Sequence, residues 1–228
     1  MPGAMKVAEV RWLLLILFAG ALVISFKGSV PTMGVSAEWK NGEYLFSGGT
    51  HPLGLLLAAI GAGLYLLLMF AEPAAIVATL PGLFRRFAAF WIDFLLAMTI
   101  VTPIFGILPV LSEWRRTGEF AWTIERTEYV KGDLLLSLLG LLLASAALFF
   151  YFLFPLLKVK PSPGACILGY QIVSDSGVPL RFWMAVARCA LGFVAVAAWY
   201  IAFFVARDKV HGKFWLDRVF ATHAAKFR

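Results

Sequence analysis

The first residue in this chain that could do chemistry is an aspartate inside an apolar, aromatic run. Asp93 stands in Arg86-Phe-Ala-Ala-Phe-Trp-Ile-Asp93-Phe-Leu-Leu. A carboxylate at membrane depth is expensive and should face a partner or a water-filled cavity. Arg86 lies nearly on the same helical face, roughly 10 Å away along the axis, and is shallow enough to snorkel. Arg181 and Arg188 repeat that spacing further on, with Arg188 inside an apolar segment. If Phe87–Leu111 and Leu134–Leu157 both span, Arg188 sits at about the depth of Asp93, and an Asp93–Arg188 ion pair is expected. Such a pair reads two ways: as a proton-titrating centre, or as a pin that only holds two helices in register.

Little else competes for a chemical role. There is no Gly-x-Ser-x-Gly, no P-loop, no His-Glu-x-x-His and no Gly-rich dinucleotide loop. His51, His211 and His223 are too dispersed to suggest a metal site. Cys166 and Cys189 form neither a Cys-x-x-Cys motif nor a paired framework. No cofactor and no enzymatic activity are expected.

The elements that must position Asp93 and Arg188 are membrane helices. The chain is 61% hydrophobic and 14% charged, with mean hydropathy +0.86. Ordinary soluble domains run near 45–50% apolar and about 25% charged. A span needs roughly 20 mostly apolar residues. Val10–Phe26, Leu53–Ala71, Phe87–Leu111, Leu134–Leu157 and Phe182–Ala206 qualify or nearly qualify. Backbone groups in lipid must bond internally, so these segments should be helices. The first could instead be a signal peptide, with Lys6 and Arg11 as its basic start and Ala19-Gly20-Ala21 as a cleavage-like triplet. The expected class is an all-α, polytopic integral membrane bundle of 4–5 apolar helices with small interfacial β-hairpins.

Between the spans, Ala37–Phe46 reads as a β-hairpin around Asn41-Gly42, with Trp39 and Tyr44 at the membrane–water boundary. Thr102, Pro103, Gly106 and Pro109 cluster in the third segment, where they either kink the helix or line a site. Ser112–Asp133 carries no recognisable chemistry. Ser137, Gly140, Ala144 and Ala147 put small residues on one face of the fourth segment, a packing stripe. Ile167–Val173 has strand-forming composition and is expected in a small interfacial hairpin, with the Asp175–Gly177 turn exposed. The net charge of +7 is spread over loops and tail. It suits lipid head groups and orientation, not nucleic acid.

In order along the chain come Arg86…Asp93, then Ser162-Pro163-Gly164-Ala165-Cys166-Ile167-Leu168-Gly169-Tyr170-Gln171-Ile172-Val173 with Asp175-Ser176-Gly177, then Arg188, then Leu216-Asp217-Arg218-Val219-Phe220-Ala221-Thr222. This order resembles the RDD family of bacterial membrane proteins over about residues 84–227. Ala165 stands where the family usually has lysine, and Leu216 where it usually has histidine. The resemblance divides the chain into a two-helix membrane hairpin with a polar loop, 1–81, and an RDD-type membrane domain, 82–228.

What the resemblance implies is a multi-pass protein of a bacterial cytoplasmic membrane with a buried charge network of Arg86, Asp93, Arg188 and Asp217. Transport is one expectation: exchange of protons for monovalent cations, with Asp93 titrating and the other three tuning it. The other is a non-transporting scaffold or accessory subunit whose buried ion pairs hold helices in register. Asp217 is expected to approach Arg86. Lys and Arg become one-sided only if Phe182–Ala206 re-enters, which would carry the tail to that side.

Overall fold

The computed structural model describes residues 6–26, 34–40, 43–72, 76–77, 81–130, 132–176, 179–197 and 215–227. The protein is mostly helical. Its long elements are α1 (Val7–Phe26), α2 (Pro52–Phe70), α3 (Leu83–Thr117), α4 (Asp133–Lys158) and α6 (Phe182–Ala197). Two short helices, α5 (Pro163–Ile167) and α7 (Trp215–Val219), carry site residues. Among the described residues, Pro52–Phe70, Phe84–Thr117 and Asp133–Lys158 are long and apolar enough to cross a membrane. The chain is thus a helical membrane protein with a few small strands.

The helix α3 has 35 residues and runs unbroken through Pro103 and Pro109. At 1.5 Å per residue it measures about 52 Å, against a hydrocarbon core of about 30 Å. The apolar run stops at Leu111, but the helix continues to Thr117. Arg115 and Arg116 sit in its last turn, where cations suit the unpaired carbonyls. Gly118, at φ 78°, stops it, with its N–H on the Trp114 carbonyl at 2.8 Å.

The chain folds as two compact units. One comprises Ile16–Gly63 and Leu95–Leu148. It holds a sheet of order β1-β2-β4: β1 (Gly34–Lys40), β2 (Glu43–Gly49) and β4 (Thr123–Arg126). Lys40 pairs with Glu43, which leaves two residues between the strands. The hairpin therefore has the expected register and longer arms than Ala37–Phe46; the Asn41-Gly42 turn itself lies outside the described residues. Trp39 is exposed at the surface, but Tyr44 is buried with Phe46, Val110 and Ile124. The third strand, β4, falls in the Ser112–Asp133 connection, where no strand was expected. Gly106 is needed where the sheet meets α3: a Cβ there would lie 2.0 Å from the Gly49 carbonyl oxygen.

The other unit comprises Met1–Leu15, Leu64–Phe94 and Phe149–Arg228. Its sheet has the order β3-β6-β5, from β3 (Ile76–Val77), β6 (Thr222–Phe227) and β5 (Tyr170–Ser174). Two corrections follow for the Ile167–Val173 segment. The strand begins only at Tyr170, because Ile167 closes α5 and Gly169 turns the chain at φ 69°. Its partner is not a local hairpin arm but the distant β6, with Tyr170 opposite Lys226. Asp175 and Ser176 are exposed, as expected; Gly177 lies outside the described residues. So do residues 198–206, on which the question of spanning or re-entry turned.

Candidate functional site

Asp93 sits ten residues into α3 and is 3% exposed. Its carboxylate accepts three hydrogen bonds, from the Ser162 hydroxyl at 2.5 Å, the Gly164 N–H at 2.7 Å and the Tyr151 phenol at 3.2 Å. All three donors are uncharged. No guanidinium or ammonium pairs with Asp93 among the described residues.

Local sequence explains how those donors arrive. The end of α4 closes with the Lys160 N–H on the Pro155 carbonyl at 3.0 Å and Val159 at φ 53°. That is a Schellman-type cap with a β-branched residue where glycine is usual. Ser162 follows as N-cap of α5, accepting from the Ala165 N–H at 3.4 Å, with proline entering the first turn. Gly164 lets the turn approach α3: a Cβ there would lie 2.2 Å from the Ala89 carbonyl oxygen and 2.9 Å from the Asp93 carboxyl carbon. Tyr151 comes from α4. Its ring stacks on Tyr65 at 4.8 Å and 23°, and the Tyr65 phenol donates to the Tyr151 carbonyl at 2.8 Å. Phe90 and Phe152, stacked at 5.5 Å, add an aromatic flank.

Asp217 on α7 is 1% exposed and held differently. Arg86 Nη1 binds one carboxylate oxygen at 2.6 Å, and Arg188 Nη2 binds the other at 2.7 Å. Burial alone would raise this carboxyl's pKa; the two guanidiniums outweigh burial and hold it below its usual range. The triad ties α3, α6 and α7 together. Asp217 thus lies at the Arg86 end of α3.

The expected Asp93–Arg188 ion pair is absent, and the four-residue network is in fact a triad and a separate carboxylate. The reason is geometric. Asp217 presents one oxygen to each guanidinium, so both charges are met at one carboxylate. The two sites are still neighbours through Tyr170. Burial raises that phenol's pKa, and Arg86, Asp93, Asp217 and Arg188 all act on it.

Ser162 and Gly164 belong to the motif recognised from sequence. Tyr170 stands in that motif too, without a role read from it, and Tyr151 was missed. A tyrosine within an apolar helical run is a usable signal, since a buried phenol needs a partner, but the sequence does not say which. The same holds in the other unit, where Tyr44 donates to Asp133 at 3.0 Å and Arg126 pairs with Asp133 while lying over the Phe46 ring. His223 meets Asp175 at 2.6 Å at the surface. Among the described residues, no group of three or more His, Cys, Asp or Glu is placed to hold a metal ion.

A family model described as the RDD family matches residues 80–219. The matched stretch contains Arg86, Asp93, Ser162–Gly164, Arg188 and Asp217. No curated protein and no solved structure shows a significant match to the chain.

Proposed function

This chain belongs to the RDD family, and we propose that it is a transporter that exchanges protons for small monovalent cations at Asp93, in the cytoplasmic membrane of a bacterium. One observation carries the proposal: Asp93 is buried in an apolar helix and, among the described residues, is met only by uncharged donors. An uncompensated carboxylate in such surroundings is costly. A proton removes that charge, and so does a compact cation. Competition of the two for one carboxylate is the simplest coupling. The Ser162 and Tyr151 hydroxyls donate to the ionised carboxylate. Turned about their C–O bonds, they also offer lone pairs to a hard cation, which prefers oxygen. The Arg86–Asp217–Arg188 triad then serves as a fixed frame. No covalent step is involved.

The test uses purified protein in liposomes carrying an internal pH dye, challenged with sodium, lithium and potassium gradients. Cation-driven pH changes that vanish in Asp93→Asn, with the variant still folded, support the proposal. Wild-type protein that moves no protons under any gradient overturns it.

A second reading has its own observation. Asp217 commits both oxygens to ion pairs from two helices, and Asp93 bonds to α4 and to the N-cap and first turn of α5. Such contacts would also serve a scaffold or accessory subunit that moves nothing. A silent wild type together with an Asp93→Asn variant of lowered stability would favour it.

A further inference from the structure

The short helix α5 is held from two directions. All five of its residues are buried. Its first turn is fastened to α3 through the Ser162 and Gly164 bonds to Asp93. Its last turn is fastened to α1: the Arg11 guanidinium Nε–H donates to the Ile167 carbonyl at 2.9 Å. The last carbonyls of a helix lack intrahelical partners, and a buried one left unpaired is costly. The thiol of Cys166 lies one residue away, completely buried, directed at the Val7 carbonyl at 3.8 Å. Gly169, at φ 69°, turns the chain beside the Arg11 guanidinium. Nearby, Lys160 Nζ reaches the Ala71 carbonyl just past α2 at 2.5 Å. Two basic side chains thus join the α4–β5 connection to the N-terminal helices, which lie outside the matched family segment.

We propose that Arg11 is a positioning residue for the Asp93 site: by holding the Ile167 carbonyl it fixes where α5 presents Ser162 and Gly164 to the carboxylate. The N-terminal helix is then part of the site rather than an appendage. Ile167, whose carbonyl Arg11 holds, is three residues from Gly164 in the single turn of α5, so a slip of α5 on α1 is passed on to Asp93. The transport arm of the test rests on the exchange proposed above; the thiol arm does not.

Cys166 is a built-in reporter. The protein has two cysteines, so Cys189→Ala leaves Cys166 alone. In that background, reconstituted in liposomes, labelling of Cys166 by a small membrane-permeant maleimide is slow. Arg11→Gln speeds it at least tenfold, and Arg11→Lys, which keeps the charge but loses the Nε–H fork, gives an intermediate rate. In the pH-dye assay, Arg11→Gln raises the half-saturating cation concentration at least fivefold while the maximal rate stays within twofold, and Arg11→Lys restores part of the affinity. A purely structural loss lowers the maximal rate through lost protein and leaves half-saturation in place. Labelling and half-saturation both within twofold of the parent overturn the proposal, as does a fall in maximal rate alone. If Arg11→Gln does not assemble, Arg11→Lys is judged against the parent by the same two readouts, with a threefold change as the threshold. A parent that exchanges nothing refutes the transport reading, and the labelling rates alone then decide the role of Arg11.

Discussion

Asp93 and Asp217 are both buried carboxylates in one unit, yet they are neutralised in opposite ways. Asp217 answers two guanidiniums, and the cluster Arg86–Asp217–Arg188 carries one net positive charge. Asp93 answers a hydroxyl, a phenol and a backbone N–H, none of which carries charge. The first arrangement is strong because each group is useless without the others. The second supplies hydrogen bonds but no counter-charge. Burial by itself therefore says little about what an acidic side chain does; the charge state of its partners says more.

The contrast can be broken most forcefully at Asp217. Asp217→Ala removes the carboxylate that joins Arg86 to the buried Arg188 and should cost about 3–5 kcal/mol, read as a fall in unfolding stability in detergent. A loss below about 1 kcal/mol would mean that the triad is ornamental. Asp93→Asn, which keeps an acceptor for the Gly164 N–H, should cost only about 1–2 kcal/mol. Equal losses at the two sites would erase the distinction.

Acid should reach the same clamp more gradually. Asp217 has its carboxyl held below the usual range by Arg86 and Arg188. A depressed carboxyl contributes its stabilisation fully above its unfolded value, about 3.9. That contribution is lost as pH falls through the lower folded value. Unfolding stability measured against pH should therefore drop below about pH 4 in the wild type, and this drop should be absent in Asp217→Asn. An unchanged acid limb in Asp217→Asn would exclude Asp217 as its source.

Smaller effects sharpen the Asp93 side. Gly164→Ala places a methyl 2.2 Å from the Ala89 carbonyl oxygen, and relief of that overlap should cost about 1–3 kcal/mol. It should also speed Cys166 labelling, because α5 must back away from α3. Tyr151→Phe removes one of three hydrogen bonds, the longest at 3.2 Å, and should cost about 0.5–1.5 kcal/mol. A Tyr151→Phe variant less stable than Gly164→Ala would show that the phenol, not the turn, is the main hold on Asp93.

What the sequence disclosed follows the range of each physical signal. Hydropathy is local, and it located α2, α3 and α4 within a few residues, though not the polar turn Ser112–Thr117 that extends α3. Asn41-Gly42 between alternating residues disclosed the register of β1 and β2. The charged residues were legible as a group because charge in an apolar run is conspicuous. Their pairing was not legible, since two arginines and two aspartates admit several matchings and only the placement of α7 selects one. Strand β6 was hidden because Thr-His-Ala-Ala-Lys-Phe has no strong alternation; its pairing with β5 and β3 supplies what its own residues lack. Arg11 looked like part of a basic start, and nothing local says that its donor is spent on Ile167, 156 positions away.

The strand order β3-β6-β5 also carries a statement about biosynthesis. The central strand is the last of the three to be made, and Asp217 is made just before it. Arg86 and Asp217 are separated by 131 positions, so at about 5–20 residues per second Arg86 leaves the ribosome roughly 7–26 s before its carboxylate exists. Arg188, 29 positions from Asp217, waits only about 1–6 s at the same pace. During that interval Asp217 does not yet exist, and the long arginine stem lets Arg86 reach toward the head groups. Translation thus delivers the two arginines first and the aspartate that joins them last.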